Sequence, residues 1–208
     1  MRKSGILSSA FPRPYGYALL CALFIGATLW TYMPARITWV VFPAFLAYLA
    51  IAHRPVFRRA WLPTLIAVLL GLLLFLPLLT YLQANPEAEQ RLDMLDAPLQ
   101  ALKAGDVSVL LDGVWSYASG LVFPGRGDQF LAYNIPGRPT FDPLTGILFI
   151  VGAVLCMVRW RRPACAFTLL WFLVGAAPSL ITGAPPSSSQ RIAPVVVVFA
   201  IPALAAAV

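Results

Sequence analysis

An all-α bundle of about six membrane-crossing helices, with one helical loop outside the membrane, is the fold this sequence predicts. Three observations predict it. Hydrophobic residues make up 60% of the 208 and charged residues 11%, against roughly 25% charged in an average soluble domain, so a water-soluble fold would lack the polar surface to cover itself. All eight acidic residues fall between Glu87 and Asp142. Uncharged runs at 60–86 and 143–158 flank that stretch, and basic clusters close their far ends: His53, Arg54, Arg58 and Arg59 before the first, Arg159, Arg161 and Arg162 after the second. Short Lys/Arg-rich loops stay cytoplasmic, which puts the acidic stretch on the extracytoplasmic side. The chain then divides into three spans in 1–82, an outer loop over 83–142, and three spans in 143–208.

The first span is expected over 15–33, with Arg2, Lys3 and Arg13 holding the N-terminus in the cytoplasm. Its apolar stretch is too long and too far from the start for a cleavable signal peptide. Pro34, Ala35 and Arg36 read as a tight outer turn, and a second span over 37–52 returns to the basic cluster. That span is short for a hydrocarbon core of roughly 30 Å. A third follows over 61–82, a fourth over 143–158, a fifth over 164–182 and a sixth over 192–208. Pro43, Pro63, Pro77, Pro178, Pro194 and Pro202 fall in or at the ends of spans, where neighbouring helices can satisfy the freed backbone groups. The sixth span stops at Val208 with no basic flank, so the expectation is a partial domain or truncated frame.

Within the outer loop, Asn85-Pro86-Glu87 has the order of an N-cap, a first-position proline and a first-turn acid, and Glu87 pairs with Arg91 at i and i+4. A second start lies at Asp96 with Pro98, and Lys103 with Gly105 marks its stop. From Asp106 onward, Val107, Leu110, Leu111, Val114, Ala118 and Leu121 recur at helical spacing and predict one apolar face. That helix is expected to lie along the membrane interface or cover the bundle mouth, with Trp115 and Tyr117 at headgroup level. The Pro- and Gly-rich strings from Phe123 to Asp128 and from Tyr133 to Pro139 predict a rigid, non-helical loop packed back on the bundle.

Several function classes are unsupported. The +7 net charge sits in short clusters beside apolar spans instead of on one basic face, which argues against nucleic acid as a partner. Phosphate-loop, zinc-hydrolase and nucleophile-elbow motifs are missing from the sequence, His53 is the one histidine, and no cofactor is implied. The expected spans hold no Asp or Glu of the kind a proton-coupled transporter uses. Cys21, Cys156 and Cys165 show no metal-ligand spacing and read as small buried apolar side chains. Arg126-Gly127-Asp128 spells an adhesion tripeptide, too short a match to carry weight. Four cations face outward near span ends, Arg36, Arg126, Arg138 and Arg191. Arginine matches phosphate oxygens with two hydrogen bonds, so these side chains suit a lipid-linked phosphate or pyrophosphate at headgroup level, or ordinary lipid phosphates as interfacial anchors.

Residues 26–36, GATLWTYMPAR, resemble a G-L-x-L-Y-T-Y-x-x-x-R turn of bacterial glycosyltransferase family 39, the dolichyl-phosphate-mannose protein mannosyltransferase-like proteins. Residues 133–152 resemble that family's H-N-x-P-G-x-P-x-x-D-P-L segment with Tyr133 in place of His, and residues 184–204 its A-P-x-x-x-R…P-x-x-A-L stretch. The resemblance implies an integral-membrane glycosyltransferase of the plasma membrane. Its partners would be membrane lipid, a polyprenyl-phosphate-linked sugar donor and a glycan, lipid or protein acceptor. It further implies Arg36, Arg138 and Arg191 on the donor phosphate, with Asp128 and Asn134 on the sugar. The family's catalytic acid lies in its first outer loop, whereas this chain has no acidic residue before Glu87. The expectation is therefore the later part of such an enzyme, without the general base. The alternative is a non-catalytic multi-span protein, a flippase or a lipid-linked oligosaccharide polymerase.

Overall fold

The computed structural model describes residues 13–31, 33–85, 96–129, 131 and 135–181. Among them the chain is all-α: α1 (Arg13–Thr31), a 3₁₀ segment (Met33–Val40), α2 (Val41–Ala52), α3 (Arg54–Ala84), α4 (Asp96–Lys103), α5 (Ser108–Val122), α6 (Pro143–Val158) and α7 (Pro163–Ile181). The helix expected from Pro86 and the sixth span fall outside the described residues.

Among the described residues, two helices are long and apolar enough to cross a bilayer, Pro14–Thr31 and Arg54–Ala84. Only 28% and 17% of their apolar windows are buried within the chain, so most of that surface faces outward. Leu19, Leu20, Leu23 and Phe24 on α1, and Leu65, Leu69, Leu73 and Leu76 on α3, are all exposed. The second span differs from expectation. Met33–Val40 winds as 3₁₀ helix before α2 begins, so Pro34 to Arg36 is the start of a helical segment and not a free-standing turn. The third runs longer than expected, because Pro55 sits in the first turn, where its missing N–H costs nothing, and Arg54, Arg58 and Arg59 continue the helix instead of a loop.

Small residues set the closest packing. A Cβ on Gly71 would lie 2.6 Å from Ile25 Cγ2 and 3.2 Å from the Ala22 carbonyl, and one on Gly26 would meet Leu74 at 2.9 Å. With Ala18, Ala22 and Ala67 buried along the same seam, α1 and α3 approach as helices with small residues at four-residue spacing do. The rising register, Ile25 on Gly71 and Trp30 on Leu74, makes the pair parallel. Ile25, Leu29 and Val68 form the buried centre here, with Trp39, Phe42, Leu72 and Phe75 around it. The Trp30 indole N–H donates to the Leu74 carbonyl at 2.9 Å, three residues before Pro77, in the turn that the proline ring crowds.

A second core joins α5, α6 and α7: Tyr117, Leu121, Phe141, Phe149 and Ala176, with Trp171 and Phe172 against it. It moves Tyr117 of α5 from its expected place. Leu121 is buried, but Val107, Leu111, Val114 and Ala118 are exposed, and Tyr117, expected at headgroup level, is 3% exposed. Gly120 and Ser119 lie buried on the packed side, where small residues let aromatic rings from α6 and α7 close in. Cys156 and Cys165 are buried as expected, whereas Cys21 is exposed.

The other end of the bundle is tied by α2. Tyr48 Oη donates to the carbonyls of Trp160 and Arg161 at 3.0 and 2.8 Å, and His53 Nε2 lies 2.6 Å from the Arg161 carbonyl. The two basic clusters, far apart in sequence, therefore meet at one end. From it α3 and α7 run away, and α2 and α6 run toward it.

Candidate functional site

Opposite the basic end, residues 123–129 and 135–142 hold one element used twice. Phe123-Pro124-Gly125-Arg126 closes with the Arg126 N–H on the Phe123 carbonyl at 3.2 Å, and Gly125 has φ +79°. Ile135-Pro136-Gly137-Arg138 closes with the Arg138 N–H on the Ile135 carbonyl at 2.9 Å, and Gly137 has φ +78°. Both are type II turns, with proline pre-set at the second position and glycine at the third, where φ must be positive. The expected non-helical loop is thus a pair of like turns, each closed by an arginine.

The turns are joined at their glycines. The Gly125 and Gly127 N–H groups donate to the Gly137 carbonyl at 2.8 and 3.4 Å, and the Gly137 N–H donates to the Asp128 carbonyl at 3.2 Å. A methyl on Gly127 would overlap the Arg138 carbonyl, and one on Gly137 would lie 3.3 Å from Gly125 Cα. No larger side chain fits between the turns. The Thr140 and Phe141 N–H groups then donate to the Gly120 and Leu121 carbonyls at 3.1 and 2.9 Å, which fastens the loop to the end of α5. Phe141 is buried against Phe149, ring centroids 5.2 Å apart.

Asp142 starts α6. Its carboxylate accepts from the Leu144 and Thr145 N–H groups, both at 3.1 Å, and from the Thr145 hydroxyl. The Thr145 hydroxyl and then its N–H hold this carboxyl below the usual carboxylate range. Asp106, before α5, is lowered in the same way by the Ser108 hydroxyl and N–H. Both carboxylates are therefore anionic and committed to helix starts.

The chain matches no family model, no curated protein and no solved structure. The site rests on its own geometry.

Arg138 is exposed and follows the second turn; Asp128 is buried at 7% exposure. Arg36 is half-buried at the end where α1 finishes. Its Nε donates to the Leu29 carbonyl at 3.1 Å, and its guanidinium lies 5.6 Å from the centre of the Phe75 ring. Here it satisfies a last-turn carbonyl of α1, the role a basic side chain takes at a helix C-terminus. Asn134 and Arg191 fall outside the described residues. Arg126 was not among the residues the family resemblance points to, yet the twin turns bring it into the same loop as Arg138. The repeated Xaa-Pro-Gly-Arg string is the signal that finds it.

Proposed function

We propose that the chain is the part of an integral-membrane glycosyltransferase that holds the phosphate of a polyprenyl-phosphate-linked sugar on the extracytoplasmic face. The observation that carries it is the twin turn, a rigid two-part loop presenting Arg126 and Arg138 at the end of the bundle away from the basic clusters. Two guanidinium groups on a fixed frame suit the charge that gathers on a lipid phosphate as it leaves the anomeric carbon, and placing them beforehand lowers the barrier electrostatically. The outward apolar surfaces of α1 and α3 support a membrane location, since a water-soluble chain does not leave such surface uncovered. The gathering of both basic clusters at one end supports a multi-pass topology with that end and the N-terminus cytoplasmic. No carboxylate precedes Glu87, so the base that deprotonates the acceptor is not expected from residues 1–86.

A non-catalytic multi-span protein is favoured by one observation, the use of Arg36 to finish α1. Binding of a polyprenyl-phosphate sugar to the chain in nanodiscs separates the two. Arg126→Lys and Arg138→Lys should each weaken binding by about 1 to 3 kcal/mol, since an ammonium cannot match phosphate bidentately. Unchanged affinity in both variants rejects the phosphate site. Single-cysteine labelling checks the topology: positions 106 and 188 should react from outside, 58 and 161 from inside. Reaction of position 106 from the cytoplasmic side alone rejects the donor assignment as well.

A further inference from the structure

The basic end of the bundle is more than two loops of like charge. A topology signal needs only Lys or Arg in each loop, whereas here the loops are held in register by the Tyr48 hydroxyl, its one hydrogen shared between the Trp160 and Arg161 carbonyls, and by the contact of His53 Nε2 with the Arg161 carbonyl. Tyr48 also packs on the Trp160 ring at 6.3 Å, and the Arg161 guanidinium lies 5.9 Å from that ring's centre. Arg54, Arg58, Arg59, Arg161 and Arg162 are all exposed around this tie. No carboxylate occurs in residues 1–86 or 143–208 to neutralise them. An open cavity of about 350 Å³ lies against Pro55, Val56, Arg59 and Ala60, apolar on one part and cationic at Arg59. That combination takes a ligand with a phosphate head and an apolar tail.

We propose that this end is a binding site for an anionic phospholipid of the cytoplasmic leaflet, its phosphate among Arg58, Arg59 and Arg161 and its upper acyl chain against Pro55 and Val56. It rests on the topology proposed above, in which this end faces the cytoplasm. Basic clusters at the cytoplasmic ends of membrane helices attract anionic headgroups at about fivefold in affinity per charge. The tie from α2 supplies what scattered charge lacks: it holds the backbone at Arg161 beside His53, at the start of the helix that carries Arg58 and Arg59.

The test uses the full chain in a neutral detergent, titrated with dioleoyl phosphatidylglycerol and dioleoyl phosphatidylcholine and read by native mass spectrometry. Phosphatidylglycerol should bind more tightly by more than the roughly hundredfold that three unconnected charges give at about fivefold each. Arg59→Gln should lower that preference about fivefold, and the triple change Arg58→Gln, Arg59→Gln, Arg161→Gln should abolish it, while Lys103→Gln, outside the basic clusters, leaves it intact. Tyr48→Phe with His53→Asn keeps every arginine but frees the two loops, and should lower the preference about tenfold. If the preference survives that double change, charge alone explains it and the site is refuted. An equal concentration of inorganic phosphate should not displace the lipid, and full displacement overturns the lipid assignment. Labelling of position 58 from outside overturns the topology; labelling from inside with no lipid preference overturns this site alone.

Discussion

Gly71→Ala is the sharpest perturbation the packing offers. The added methyl would sit 2.6 Å from Ile25 Cγ2, 2.7 Å from Ile25 Cβ and 3.2 Å from the Ala22 carbonyl oxygen. Carbon atoms in contact prefer about 3.5 to 4.0 Å, so α1 must retreat from α3 or Ile25, buried at 6% exposure, must leave its rotamer. Overpacking of that size costs about 1 to 3 kcal/mol, and alanine's better helix propensity returns at most about 1 kcal/mol. With that full return the expected net loss is about 0 to 2 kcal/mol, centred near 1. Gly26→Ala should cost less, since the closest atom it meets is the flexible end of Leu74 at 2.9 Å, and Gly16→Ala should cost nothing, with no atom within 4 Å. The assay is denaturant unfolding in one detergent, followed by the helical circular dichroism signal for the three variants. Equal midpoints, or a Gly71→Ala midpoint at or above the wild type, would show that α1 and α3 do not meet at these glycines.

Three further outcomes follow from named contacts. The depressed pKa of Asp142 contributes stability above its unfolded value near 3.9, lost as pH falls through the lower folded value. Asp142→Ala should therefore lower the unfolding temperature at pH 7, with a gap that narrows below about pH 4; a gap unchanged down to pH 2 rejects the charged cap. Trp30→Phe removes the indole hydrogen bond to Leu74 and should cost about 1 kcal/mol, read as a shift in unfolding midpoint. Gly127→Ala should force the twin turns apart, because its methyl overlaps the Arg138 carbonyl. Trypsin should then cut after Arg126 faster than in the wild type, and an unchanged cleavage rate would mean the turns do not pack.

Where a residue fixes its own local geometry, the sequence foretells the structure. Asp142-Pro143 starts α6 where expected, because carboxylate cap and first-position proline act within one turn. Gly105 stops α4 through its positive φ of 80°. Legibility ends where partners decide. The basic residues after His53 read as loop, yet arginine is a good helix former and α3 simply continues through them. The apolar positions of α5 mark a face, but a bundle facing lipid can turn apolar side chains outward, and the small side of that helix is the one that packs. Arg36 reads as an outward cation, and only the meeting of α1 and α3 shows that it finishes a helix. Both Pro-Gly-Arg strings are visible in the sequence, whereas their joining through Gly125 and Gly137 is a long-range contact that no local rule supplies.

The unequal helix lengths bear on the bilayer itself. At 1.5 Å per residue, the uncharged part of α3, residues 60–84, spans about 38 Å and the 16 residues of α6 about 24 Å, on either side of a typical hydrocarbon thickness of roughly 30 Å. If both cross a bilayer, as in the topology proposed above, the mismatch is of opposite sign on the two flanks: α3 would tilt or thicken the lipid beside it, and α6 would thin it. Because α6 is capped by Asp142, directly after the twin turns, the thinned flank in the proposed topology would be the one under the loop. Lipid headgroups there would stand lower than elsewhere around the protein, so on the proposed function a lipid carrying a large head would reach Arg126 and Arg138 with less of its tail drawn out of the membrane.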